Sequence, residues 1–159
     1  MTIKWEGDQN FLVKTKQVTA SIGSKIKLGD LDIFSPGEYE VGGVQVEVID
    51  GVIEVLAEGM SIVHMKKAKV LSDEALEKIN GSDILIIGVG GGDFTETKTA
   101  LQVISQIEPA IVIPMHKGNL EEFAKEEGVS AKEGIEELKI SRGDLPTDES
   151  KVVVLNALQ

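Results

Sequence analysis

The chain offers two histidines, His64 and His116, and no cysteine. That inventory narrows the metal chemistry open to it. A hydrolytic zinc centre uses about three protein ligands and one open position. Thiolates are excluded, so two imidazoles would need carboxylates from elsewhere, with Asp8 and Asp93 as the candidates. His116 closes the run Ile113-Pro114-Met115-His116, just past an expected buried strand, where α/β proteins gather their sites. His64 sits inside the apolar run Ile62-Val63-His64-Met65, the usual setting of a hydrogen-bonded core or rim histidine. Nothing in the spacing of the two makes them a ligand pair.

A second group is the glycine turn Gly88-Val89-Gly90-Gly91-Gly92-Asp93 between an expected strand and helix. The backbone amides of Gly90, Gly91, Gly92 and Asp93 can face an anion, with Lys66 or Lys67 adding positive charge. A dinucleotide fingerprint, however, wants glycine at Asp93 and an acid ending the next strand, which instead ends Ile113-Pro114. No Gly-Lys-Ser/Thr follows, so there is no P-loop. A tight structural turn accounts for the glycines more simply. Nucleophilic catalysis has little support, because no Gly-x-Ser-x-Gly elbow occurs. The acidic pairs Glu121-Glu122, Glu126-Glu127 and Glu136-Glu137 fall on expected solvated helix faces, and Arg142-Gly143-Asp144 reads as a turn.

The elements that would position these residues change character near residue 70. Before it lie short strands. Val44, Val46 and Val48 alternate with Gln45 and Glu47, a half-buried strand. Gly29-Asp30, Gly42-Gly43 and Asp50-Gly51 are turns between such runs, Asp50-Gly51 being a good hairpin turn. After residue 70 the pattern alternates between helix and strand. Ser72 can cap a helix that carries Asp73 and Glu74 in its first turn and ends at Asn80-Gly81. Ile84–Ile87 is a doubly buried strand. A second helix starts near Thr95 or Thr97, turns Ala100, Leu101, Ile104 and Ile107 inward, and stops at Pro109. Ala110–Ile113 is the next strand. Asn119 with Glu122 forms a capping box for a helix over Leu120–Glu127, which Gly128 ends. Val152–Leu155 is the last strand.

A length of 159 residues fits one domain, 1–70 mostly β and 71–159 alternating α and β. The net charge of −11 repels phosphate backbones, so no nucleic-acid partner is expected. The short basic run Lys66, Lys67 and Lys69 reads as a solvated strand end. No apolar run is long enough to span a bilayer and no secretory leader is visible, so neither a membrane nor an export route is expected. A cysteine-free chain is at ease in a reducing cytoplasm.

Several phrases together resemble the metallo-β-lactamase superfamily, in its ascorbate-6-phosphate lactonase-like branch. They are Ile3–Phe11, the segment Pro36-Gly37-Glu38-Tyr39-Glu40-Val41, the stretch Ser82–Pro114 with its glycine turn and Ile107-Glu108-Pro109, the Pro114-Met115-His116 that follows, and Leu138–Ser141 with Asp144–Pro146. The resemblance implies an α+β fold, a metallo-β-lactamase-like αββα sandwich with two mixed β-sheets face to face and helices outside. It also implies a metal site that this chain lacks. The family's His-x-His-x-Asp-His motif is missing, and the chain passes from Ser24–Leu28 straight to Gly29–Phe34 where that segment would lie. A His-x-Gly-Asp pattern is replaced by His64-Met65-Lys66-Lys67, and His116 alone matches the family's ligands.

The expectation is therefore a reduced, non-catalytic member of a hydrolase fold, serving as a binding or structural module, with no cofactor. The loss of rim elements should uncover surface that a homo-oligomer would cover. One alternative is a zinc- or manganese-dependent hydrolase rebuilt around His116 with His64, Asp93 and Asp8. Another is an anion or phosphorylated-metabolite binder at Gly90–Gly92 and Asp93.

Overall fold

The computed structural model describes residues 1–79, 81–131 and 134–158. Nine strands come first: β1 Thr2–Gly7, β2 Asn10–Lys14, β3 Thr19–Ile22, β4 Ile26–Leu28, β5 Leu31–Ile33, β6 Gly37–Val41, β7 Val44–Ile49, β8 Val52–Ala57 and β9 Met60–Met65. Then helices and strands alternate: α1 Asp73–Lys78, β10 Ile84–Gly88, α2 Thr97–Ile107, β11 Ile111–Met115, α3 Glu121–Glu127, and two short strands, β12 Leu138–Lys139 and β13 Lys151–Val152. Among the described residues the first helix begins at Asp73.

The strands form two sheets, ordered β12-β1-β2-β3-β4-β5 and β13-β11-β10-β9-β8-β7-β6. The second is mixed. Its β6–β9 strands are joined antiparallel by hairpins, and β9, β10, β11 and β13 run parallel. The first is an antiparallel ladder that gains a parallel bridge, Trp5 to Ala157. Asp50-Gly51 makes the β7–β8 hairpin with φ of 48° and 77°, the left-handed pair a two-residue type I′ turn requires.

The sheets pack face to face over one core. Ile3, Trp5, Phe11, Val13, Ala20 and Ile22 come from the first sheet and meet Val44, Val55, Ile62, Ile84, Ile86 and Ile113 of the second. The alternate side chains of the second sheet, Val63, Leu85, Ile87 and Val112, face outward onto Ala100, Val103, Ile107, Phe123 and Ala124 of α2 and α3. The run Ile84–Ile87 is buried on both faces for that reason. Each such side chain contributes roughly 1.5–3 kcal/mol by leaving water.

The molecule is an αββα-like sandwich, and its reduction falls on the first sheet. There Lys4, Glu6, Leu12, Lys14, Thr19, Ser21 and Lys27 alternate with the core residues and face outward. A face so polar has nothing to gain from a helix, and among the described residues no helix joins its cluster.

Local signals fared unevenly. Ser72 caps α1 by accepting from the Ala75 amide, as expected, while Asn80 lies outside the described residues. The capping box at Asn119 does not form. α3 begins one residue later, at Glu121, without a side-chain cap. The Asn119 amide instead donates to the Gly90 carbonyl at 2.6 Å and accepts from the Lys117 amide at 3.2 Å. The last strand is shorter than expected: β13 is Lys151–Val152, and Val153–Leu155 continue as buried chain with a single bridge, Leu155 to Ile135.

Candidate functional site

The parallel strands β9, β10 and β11 end together, with Met65, Ile87 and Met115 near one edge of the sandwich. In open parallel sheets this carboxyl edge is where sites form. It receives Lys66 and Lys67 after β9, the glycine turn after β10, and His116-Lys117 after β11. The β1–β2 turn, Asp8-Gln9, reaches the same edge from the other sheet, held by the Trp5 indole N–H donating to the Asp8 carbonyl at 2.9 Å.

Lys117 is the centre of this group. Its ammonium lies 3.1 Å from an Asp93 carboxylate oxygen and 3.8 Å from one of Asp8. The hydrogen bond and charge of Lys117, with Lys66 and Lys67 farther off, hold the Asp93 carboxyl below its ordinary pKa. Asp93 and Asp8 in turn raise that of Lys117. Lys66 and Lys117 stand 6.0 and 5.7 Å from the ring centroid of buried Phe94, within reach of a cation–π attraction. Lys67 donates to the Gly92 carbonyl at 3.0 Å.

The two histidines take different roles. His64 is buried, and its Nε2 lies 2.8 Å from the Gln9 carbonyl, which can only accept. The proton is therefore on Nε2, and among the described residues Nδ1 has no hydrogen-bond partner. Burial pushes the His64 pKa down to about 4, against smaller opposing backbone hydrogen bonds, so the ring is neutral near pH 7. Its edge faces Phe11, with centroids 5.9 Å apart. His116 is half-buried against Trp5, 5.1 Å between centroids. Its Nδ1 accepts from the Gly118 amide at 3.1 Å, which places the neutral ring's proton on Nε2. Burial lowers its pKa too, with Glu121 pulling the other way.

These residues do not fit a zinc or manganese ion. Asp8 and Asp93 are both committed to an ammonium. His64 Nε2 is committed to a carbonyl and His116 Nδ1 to an amide. Among the described residues, no group of three or more His, Cys, Asp or Glu is placed to hold a metal. Lys66, Lys67 and Lys117 set positive charge where a cation would have to enter, and like charges at such range repel.

The structure places Asp8 and Asp93 together around Lys117, and packs the neighbouring His116 on Trp5. His64 faces inward to Gln9 and Phe11. The glycine turn is packed by the chain itself. A Cβ on Gly88 would come within 2.0 Å of the Lys66 carbonyl oxygen, one on Gly90 would meet the Asn119 amide, and one on Gly91 the Glu96 carboxylate. Sequence reasoning passed over Lys117 and Phe94, and it read Asn119 as a helix cap rather than as the partner of Gly90. Lys117 directly follows His116 at a buried strand's end and carried that much signal. Its partner Asp8, from a turn in the other sheet, was named only as a possible metal ligand, and nothing in its spacing pointed to Lys117.

The architecture is a sandwich of two facing sheets, with the Asp8–Lys117–Asp93 group at the carboxyl edge of its parallel strands. The model of the β-lactamase superfamily domain matches residues 23–116, more than half of the chain, and the chain belongs to that family. It has the metallo-β-lactamase fold without an intact metal-binding motif. Among solved structures it is similar to a candidate Zn-dependent hydrolase of the metallo-β-lactamase superfamily from Thermotoga maritima. The identity is 22%, the TM-score 0.77, and the match covers 98% of this chain and 100% of that one. It is also similar to a metallo hydrolase from the archaeon Ignicoccus hospitalis, at 12% identity and TM-score 0.63, covering 88% of this chain and 99% of the other. Curated proteins gave no match.

Proposed function

We propose that this protein is a non-catalytic member of its hydrolase superfamily, a binding or structural module that acts as a homo-oligomer in the cytoplasm. Within the superfamily we place it near the ascorbate-6-phosphate lactonase-like branch, on the phrases Pro36–Val41 and Pro114-Met115-His116. One observation carries the reading: the ammonium of Lys117, next to His116 in the chain, lies 3.1 Å from Asp93 and 3.8 Å from Asp8, the carboxylates a rebuilt metal site would need. A lysine there neutralises both acids and supplies no Lewis acid. Without a metal, a water molecule has no reason to ionise near neutral pH.

The test is hydrolysis of phosphodiester, lactone and thioester substrates with added Zn²⁺ or Mn²⁺, comparing the wild type with His116→Ala. The expected result is the same background rate for both proteins. Metal-dependent turnover that disappears in His116→Ala overturns the proposal.

A further inference from the structure

The rim that holds the residual site continues along the second sheet. Register carries it from Met65 to Val52, from Val52 to Ile49, and from neighbouring Val48 to Gly37 at the start of β6. At this far end the link Phe34-Ser35-Pro36 joins β5 to β6. Those strands are the free edges of the two sheets, so both ladders are open at one corner.

Two features of opposite shape meet there. Phe34 is 93% exposed, far more than any other large apolar side chain described. It borders a cleft of about 650 Å³ whose other lining residues are the apolar Ile26, Ile33, Pro36 and Val48 together with polar ones that include Lys25 and Asp32. Ile33 belongs to the inter-sheet core, and Ile26 and Val48 pack against it, so the cleft opens onto the core itself. Phe34 stands at the mouth of this cleft without filling it. An aromatic ring in water beside an unfilled apolar cleft is a knob next to a hole. A twofold axis converts that pair into a self-complementary contact, each knob in the other copy's hole.

The charges point to the same occupant. Lys25 and Asp32 flank the cleft, and neither makes an ion pair among the described residues. A second copy of the same cleft offers each of these charges an opposite one. Elsewhere a surface with a net charge of −11 repels a second copy. A cationic partner would favour a cleft flanked by acids alone, and this one carries both signs.

We propose that this corner is the interface of a symmetric homodimer, in which Phe34 of each copy enters the cleft of the other. The proposal rests on the oligomeric reading given above and names its surface. Phe34→Asp is the direct test, read by sedimentation velocity and light scattering from 1 to 100 µM. The wild type should be a dimer. Phe34→Asp should raise the dissociation constant on the order of 100-fold, as loss of a central aromatic anchor does. At a concentration low enough for both proteins to be monomeric its unfolding midpoint should not move, because the folded monomer leaves that ring in water. Lys25→Glu should also weaken the dimer, and Lys25→Glu with Asp32→Lys should restore it. A dimer unaffected by Phe34→Asp overturns this interface and leaves the oligomeric reading intact. A wild-type monomer at 100 µM overturns both.

Discussion

The two ends of the rim differ in how their groups are satisfied. At the β9–β11 end Lys117 holds two carboxylates, Lys67 holds a carbonyl, and each histidine spends a ring nitrogen on backbone. At the β5–β6 end an aromatic ring faces water beside a cleft it does not fill. The first region is closed on itself by charge and hydrogen bonds, and the second is open and apolar. In an enzyme of this fold class the opposite is needed, since ligands in the site must be left free for metal and substrate. On the proposal made above, the working surface lies at the sheet edges rather than at the strand ends.

If the contrast is right, damage to the closed end should cost stability and damage to the open end should cost association. The largest effect is expected at Gly88, where a Cβ would meet the backbone oxygen of Lys66 at 2.0 Å. Backbone cannot swing aside as a side chain can. Gly88→Ala should therefore destabilise by about 3 kcal/mol in urea unfolding, the upper range for overpacking. A loss below about 0.5 kcal/mol would mean the turn is plastic, and the closed description would fail.

His64 supplies a pH dependence. Unfolded, its imidazole titrates near 6.5, and in the fold near 4. Below pH 6.5 the unfolded chain takes up a proton that the folded chain refuses. Stability present above pH 6.5 is thus lost progressively as pH falls toward 4, by up to about 3 kcal/mol from this group. Urea unfolding between pH 7 and 4 measures the slope, and His64→Gln, which keeps a donor for the Gln9 carbonyl, should flatten it. An unchanged slope in that variant would place the acid sensitivity elsewhere. The smallest effect on the stability of the monomer is expected for Phe34→Asp, within about 0.5 kcal/mol as for other positions exposed in the monomer, when both proteins are compared below the dimer's dissociation constant, although it should have the largest effect on mass.

Much of the fold was legible because burial leaves a period in the sequence. Val44, Val46 and Val48 alternate because one face of β7 meets the core, and Ile84–Ile87 do not because β10 is covered on both faces. Ser72 could be read as a cap because a helix start is a local event. Asn119 has the same local pattern and was misread, because its amide is drawn to Gly90, which only the fold brings near. The site divided the same way. His116 was visible as a residue after a buried strand. The Asp8–Lys117–Asp93 group joins three chain segments, and no spacing encodes it. The exposure of Phe34 was equally hidden, since one aromatic residue at a strand end looks the same in sequence whether it is buried or bare.

The central claim is that the residual site cannot hold a metal. Metal content by mass spectrometry tests it most directly, on protein purified without chelator or affinity tag, loaded with zinc or manganese and then desalted. Fewer than about 0.1 equivalents should remain, far below the stoichiometric binding of a formed site. About one equivalent retained by the wild type and lost in His116→Ala would contradict the account, because it would show a working centre assembled around the histidine that has here been read as a remnant.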